Sequence, residues 1–294
     1  MLLAWAVVFL AIFLIGVTKS GFGSGVGLMI VPMTALAMDY IPSRGSEAAL
    51  GLLLPLLIVG DFIAVYQYRH LFSFHKARQP ALVPAGTGEL DEPQPQVSPR
   101  PDAFRVMQAL LPGTAVGVVL GGLLLWWFHQ QKDLVNALMR IEIGFESILL
   151  VGIHWWRQYK GVQQHLMREP LRSHLTGGFA AVCSTLAHAA GPIITMYLLP
   201  LRLDRQVYVG ACAVYFFILN TAKLPAYYFA GQFAKAELSF TLCFIPIVLV
   251  GALFGFWVNK RMGDKLFTKI VYTITFLMGW YILIDGTRML LTHP

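Results

Sequence analysis

Long apolar runs separated by short polar stretches dominate the chain. They lie near residues 2–18, 46–67, 106–128, 134–156, 173–187, 206–229, 238–258 and 266–285. A helix rising about 1.5 Å per residue needs about 20 mostly apolar residues to cross the hydrocarbon of a bilayer. The pattern therefore predicts about eight transmembrane helices and an all-α integral membrane fold. Two further apolar pieces, near 26–38 and 190–200, are too short to span unaided. The first run opens Met1-Leu2-Leu3-Ala4, without a basic start, and no small-residue cleavage site precedes Lys19-Ser20. It reads as a retained helix and not as a secretory signal.

Composition agrees with the pattern. Hydrophobic residues make up 57% of the 294 positions and charged residues only 13%, against about 45–50% and about 25% in soluble domains. The net charge of +7 sits mainly in the loops. A basic chain can signal nucleic acid, but membrane topology accounts for this charge and no nucleic-acid partner is predicted. Counted over the loops, the side holding Arg69, Lys76, Arg157 and Lys160 outweighs the side holding Arg44, Lys132 and Arg202. That bias places both termini in the cytoplasm, although Lys260-Arg261 falls on the opposite side. Cys183, Cys212 and Cys243 are far apart, with neither metal-ligand spacing nor a disulfide framework, and read as small buried hydrophobes. No metal or cofactor is predicted.

The chain repeats itself weakly. Pro112, Gly117 and Gly121 follow a Pro-x4-Gly-x3-Gly pattern that recurs as Pro246, Gly251 and Gly255. Earlier, Gly27-Leu28-Met29-Ile30 resembles Gly191-Pro192-Ile193-Ile194, Asp61 falls opposite Lys223, and Tyr66 opposite Tyr228. The predicted halves are 1–79 with 102–157, and 171–291. Residues 80–101, rich in Pro, Gly, Gln and acidic residues, form a flexible polar insertion loop in the first half. Weak internal symmetry with interrupted helices is characteristic of many secondary transporters. Four crossings per half would make the halves parallel, five would make them inverted.

Several polar residues stand where lipid does not tolerate them cheaply. Lys19, Gly21, Gly23 and Gly25 interrupt the first hydrophobic region, where glycines break a helix and free N–H groups able to hold a small anion. The alternative is close packing through Gly23-x3-Gly27. In the second half, Pro192 cannot donate and disfavours a helical Gly191, so a break is expected there. His188 just before it could donate to an anion, carry a proton, or bond a freed carbonyl. Lys223 lies mid-run, and a lysine at that depth costs about 2.5–3.5 kcal/mol on insertion scales, so it should face the interior with a partner. Asp61 has the same problem. The two either pair with each other or serve substrate and coupling ion separately. Asn220, three residues before Lys223, shares its face. Glu142 and Glu146, one turn apart, could relay protons, but neutralisation by Arg140 or Lys132 is the simpler reading. Trp126-Trp127, Trp155-Trp156 and Trp280-Tyr281 read as interfacial anchors.

Taken together, Lys19-Ser20-Gly21-Phe22-Gly23, the Pro55…Asp61 segment, His188…Gly191-Pro192 and Asn220-x2-Lys223-Leu224-Pro225 followed by Tyr228 resemble the TauE/SafE family. These are the sulfite exporters, also called 4-toluene sulfonate uptake permeases. The chain departs from that pattern at Ala189-Ala190-Gly191, where a fuller glycine triplet is usual, and at Glu142 and Glu146, where apolar residues are usual. The resemblance implies a multi-pass carrier of the bacterial inner membrane for small sulfur-containing anions such as sulfite, sulfonates or sulfoacetate-like compounds. Lys19, Gly21, Gly23, Gly25, His188, Gly191, Asn220, Lys223 and Tyr228 are its expected substrate-binding residues. Asp61 is the expected charge partner or coupling-ion site, the ion being a proton or sodium. The alternatives are a passive anion channel and a membrane-embedded enzyme, for which no His-Glu-x-x-His or Gly-x-Ser-x-Gly motif is found.

Overall fold

The computed structural model describes residues 2–22, 27–41, 48–71, 103–130, 135–160, 170–198, 205–236, 238–259 and 264–292. The predicted loop 80–101 lies outside them, as do Gly23, Gly25 and Lys132. The described residues are helical, with no strand among them. In chain order the helices are α1 (Leu2–Gly21), α2 (Gly27–Met38), α3 (Ala48–Tyr68), α4 (Ala103–Gln130), α5 (Val135–Lys160), α6 (Leu171–Ala187) and α7 (Ala190–Leu198). They continue with α8 (Arg205–Ala222), α9 (Leu224–Phe229), α10 (Gln232–Ala236), α11 (Leu238–Leu242), α12 (Ile245–Asn259) and α13 (Asp264–Thr292).

Four stretches are long and apolar enough to cross a membrane: Leu2–Gly21, Ala48–Tyr68, Val106–Phe128 and Gln206–Phe229. The two short apolar pieces of the sequence are α2 and α7. Two expected spans are subdivided by proline. Near 238–258 the chain forms α11 and α12, joined by a turn at Cys243-Phe244, with Pro246 in the first turn of α12. Near 206–229 it forms α8 and α9 around Lys223, with Pro225 in the first turn of α9. In both places the proline occupies a position whose N–H would have no helical partner, so it begins the second helix without cost. Cys243 is consequently exposed, while Cys183 and Cys212 are buried; the expectation of three buried thiols fails at the turn.

Helices meet through glycine. A Cβ at Gly16 would strike the Val248 carbonyl, and one at Gly251 the Phe13 carbonyl, so α1 and α12 touch backbone to backbone. In the same way Gly113 and Gly117 of α4 lie against His174 and Gly178 of α6, and Gly144 of α5 against Gly279 of α13. Lipid tails are as apolar as leucine, so helix association in a membrane relies on this close approach more than on expulsion of water. The pattern is reciprocal. The Pro-x4-Gly-x3-Gly helix from each part of the sequence packs on the helix that opens the other part, and α3 packs on α8. The interfacial aromatics Trp126, Trp127, Trp156, Trp280 and Tyr281 are exposed on the outside of this bundle.

Candidate functional site

The opening at the centre of the sequence argument, the junction of α6 and α7, breaks earlier than expected. Gly191 is helical, and Pro192 sits harmlessly in the first turn of α7. The break is at His188, whose φ of 53° and ψ of 26° are left-handed. For a residue with a Cβ that conformation costs about 1–2 kcal/mol. Ala189 N–H reaches back to the Cys183 carbonyl (3.3 Å) and His188 N–H to the Ser184 carbonyl (3.0 Å), closing the end of α6.

The turn aims the His188 ring inward. Its Nε2 lies 3.2 Å from the Leu50 carbonyl, to which only an N–H can bond. The ring proton is therefore on Nε2, and Nδ1 offers a lone pair. Lys223, fully buried, donates to that Nδ1 (2.9 Å), to Ser184 Oγ (3.0 Å) and to the Ser184 carbonyl (2.9 Å). Nζ is thus surrounded by neutral partners alone among the described residues. No carboxylate lies within ion-pair distance of Lys223 among the described residues.

Asp61 is in the opposite situation. It does not meet Lys223. Its Oδ1 lies 2.7 Å from Lys19 Nζ, and its Oδ2 accepts from Asn220 Nδ2 at 2.6 Å. Gly60 makes this possible, because a Cβ there would crowd Ile15 (3.2 Å) and Lys19 Cγ (3.4 Å). Lys19 also rests 4.3 Å above the Phe216 ring, a favourable cation–π position. So α1, α3 and α8 jointly hold the Lys19–Asp61 pair beside a Lys223 amine that has no carboxylate within ion-pair distance among the described residues.

Of the remaining expected residues, Gly21 is buried against the Gly255 backbone, where it serves the α1–α12 seam. The Gly191 carbonyl accepts from Thr195 Oγ1 at 2.9 Å. Tyr228 is 72% exposed and not part of the cluster; the inward aromatic is Tyr227. Tyr227 lies 5.8 Å from Lys223 Nζ, its ring is 5.7 Å from that of His188, and its hydroxyl donates to the Thr185 carbonyl at 2.7 Å. The signal for it was in the sequence: Tyr227 is four residues from Lys223 and shares its helical face, whereas Tyr228 is turned away. Ser184 and Ser20 were not legible in this way. Ser20 is fully buried, its hydroxyl oxygen has no hydrogen-bond partner among the described residues, and its carbonyl accepts from Tyr68 at 2.9 Å. Among the described residues no three His, Cys, Asp or Glu side chains converge to hold a metal ion.

Of the two cations expected to neutralise Glu142 and Glu146, Lys132 lies outside the described residues. Arg140 turns away from them and bridges Asp39 and Asp285, tying the end of α2 to α5 and α13.

The described residues form a helical bundle with apolar stretches of membrane-crossing length, as a multi-pass membrane protein requires. A family model described as "Sulfite exporter TauE/SafE" matches residues 100–282, and the chain belongs to that family. The match contains His188, Asn220 and Lys223, whereas Lys19 and Asp61 precede it. No curated protein and no solved structure matches the chain.

Proposed function

We propose that this protein is a secondary transporter of the bacterial inner membrane that moves a small sulfur-containing anion: sulfite, a sulfonate or a sulfoacetate-like compound. One observation carries the anionic part of this reading. Lys223 is a fully buried amine with no carboxylate within ion-pair distance among the described residues, next to a Lys19–Asp61 pair that is already matched, and as an ammonium it would be free to bind an anion. An uncompensated charge at such a depth is costly and is retained where it serves a substrate or ion. A positive charge on Lys223 would favour an anion over a neutral or cationic substrate. On arrival, the anion would displace Ser184 Oγ or His188 Nδ1 from the ammonium, exchanging a neutral acceptor for a charged one. Ser20, with its unused hydroxyl, would offer one further donor.

Two halves and eight spans fit the same reading. The reciprocal glycine seams, α1 on α12 and α4 on α6, support two halves that exchange partners across a pseudo-twofold axis. Binding at such an interface suits alternating access. The test is sulfite counterflow in proteoliposomes. Wild-type protein should exchange labelled sulfite saturably, and Lys223→Ala should lose about a hundredfold of that exchange, as expected on truncating a buried charge that binds a charged partner. Unchanged exchange in Lys223→Ala would sink the assignment, and single-channel currents would replace the carrier with a channel.

A further inference from the structure

Glu142 and Glu146 stand one turn apart on α5. Glu146 is only 7% exposed, and neither of its oxygens, nor Oε2 of Glu142, has a hydrogen-bond partner among the described residues. Among the described residues the groups facing them supply no cation. Arg140 is committed to Asp39, after α2, and to Asp285 of α13. On α13, Tyr272 stacks on His154 at 4.1 Å. Tyr197 of α7 is occupied by Arg172, and α4 presents no titratable side chain among those described. From α6 comes the Cys183 thiol, within electrostatic range of Glu146. From α9 comes Tyr227, within electrostatic range of both carboxyl groups, with its hydroxyl committed to the Thr185 carbonyl.

One turn apart on the same face of α5, the two carboxyl groups share a buried site in which Oε2 of Glu142 and both oxygens of Glu146 find no donor among the described residues. A carboxylate only accepts hydrogen bonds, so a proton on one of them is the donor that the pair lacks. Two like charges this close cannot both persist away from water.

We infer that Glu142 and Glu146 hold one exchangeable proton between them, and that this is the ion site to which anion movement is coupled. The proton would arrive from water on one side, reside as O–H on one carboxyl bonded to the other, and leave to water on the opposite side. The link to the anion site is short. Cys183, Ser184 and Thr185 are consecutive at the end of α6: the first lies within electrostatic range of Glu146, the second holds Lys223, and the third accepts from Tyr227. An anion that displaces Ser184 from Lys223 would shift the thiol and carbonyl on either side of it.

The coupling rests on the transport reading above; the presence of the proton does not. Reconstituted full-length protein is assayed with sulfite for accumulation driven by a pH gradient and for counterflow without one. Glu142→Gln and Glu146→Gln should keep counterflow within about twofold and lose gradient-driven accumulation by about tenfold, since only the coupling ion is removed. In parallel, infrared spectra of purified wild-type protein should show a carboxylic-acid carbonyl stretch that disappears in either glutamine variant. Gradient-driven accumulation that survives in both variants overturns the coupling, and a wild-type spectrum without the band overturns the proton site. If wild-type protein moves no sulfite in either assay, the transport reading and the coupling fall together. The band, measured on wild-type protein, still decides whether the pair holds a proton, even if a variant does not fold.

Discussion

The two buried charges at matching points of the sequence have opposite fates. Asp61 is neutralised by Lys19 and steadied by Asn220. Lys223 is held by a serine and a histidine that cancel none of its charge. The contrast separates a charged side chain paired within the fold from one that meets only neutral partners among the described residues. An ion pair that loses one member leaves the other stranded in a poorly polarisable interior. A lone charge that is removed relieves the interior of a desolvation cost.

Four experiments can break or sharpen this contrast. The largest effect is expected for Lys223→Met. Sulfite counterflow should fall about a hundredfold, while stability stays within about 1 kcal/mol, because the lost hydrogen bonds are offset by relief of desolvation. A folded-state loss comparable to that of a broken pair would show that Lys223 is structural. Next, Lys19→Met should lower stability by about 3 kcal/mol, since Asp61 is left buried without its cation, and adding Asp61→Asn should recover most of it. Denaturant unfolding in detergent reads both, and additive losses in the double variant would contradict the pairing.

A smaller effect is expected at the α6–α7 turn. His188→Gly keeps the left-handed backbone without penalty, whereas His188→Ala keeps the penalty, so the alanine variant should be about 1 kcal/mol less stable than the glycine variant. Both should lose exchange alike, because the ring that receives Lys223 is gone from each. Thermal unfolding and counterflow measured together separate the turn from the ring. Smallest is Tyr227→Phe, which removes one hydrogen bond to the Thr185 carbonyl and should cost about 1 kcal/mol. Tyr228→Phe should change nothing, and a loss there larger than at Tyr227 would mean that the two rings had been assigned to the wrong faces.

Much of the fold was readable from the chain because its causes are local. Apolar runs of spanning length mark helices wherever they pack, and Pro112, Gly117 and Gly121 announce a seam whatever lies across it. Proline also marked α12 and α9, although it subdivided two runs read as continuous. The turn at His188 was harder to see. A left-handed histidine is disfavoured by its own propensity and stands only because surrounding contacts with Leu50, Ser184 and Lys223 hold it. The Gly191-Pro192 pair drew attention three residues too late, since proline is harmless in a first helical turn.

Hydropathy alone required that Asp61 and Lys223 face the protein interior, because the cost of burying a charge in lipid depends on the run around it. It could not say which partner each would find. Asp61 meets Lys19 because Gly60 allows α1 to approach α3, and Arg140 leaves Glu142 and Glu146 for Asp39 and Asp285 because α2 and α13 close on α5. Burial follows from a residue and its neighbours in sequence. Pairing falls off over a few ångströms, and only the packed bundle sets those distances.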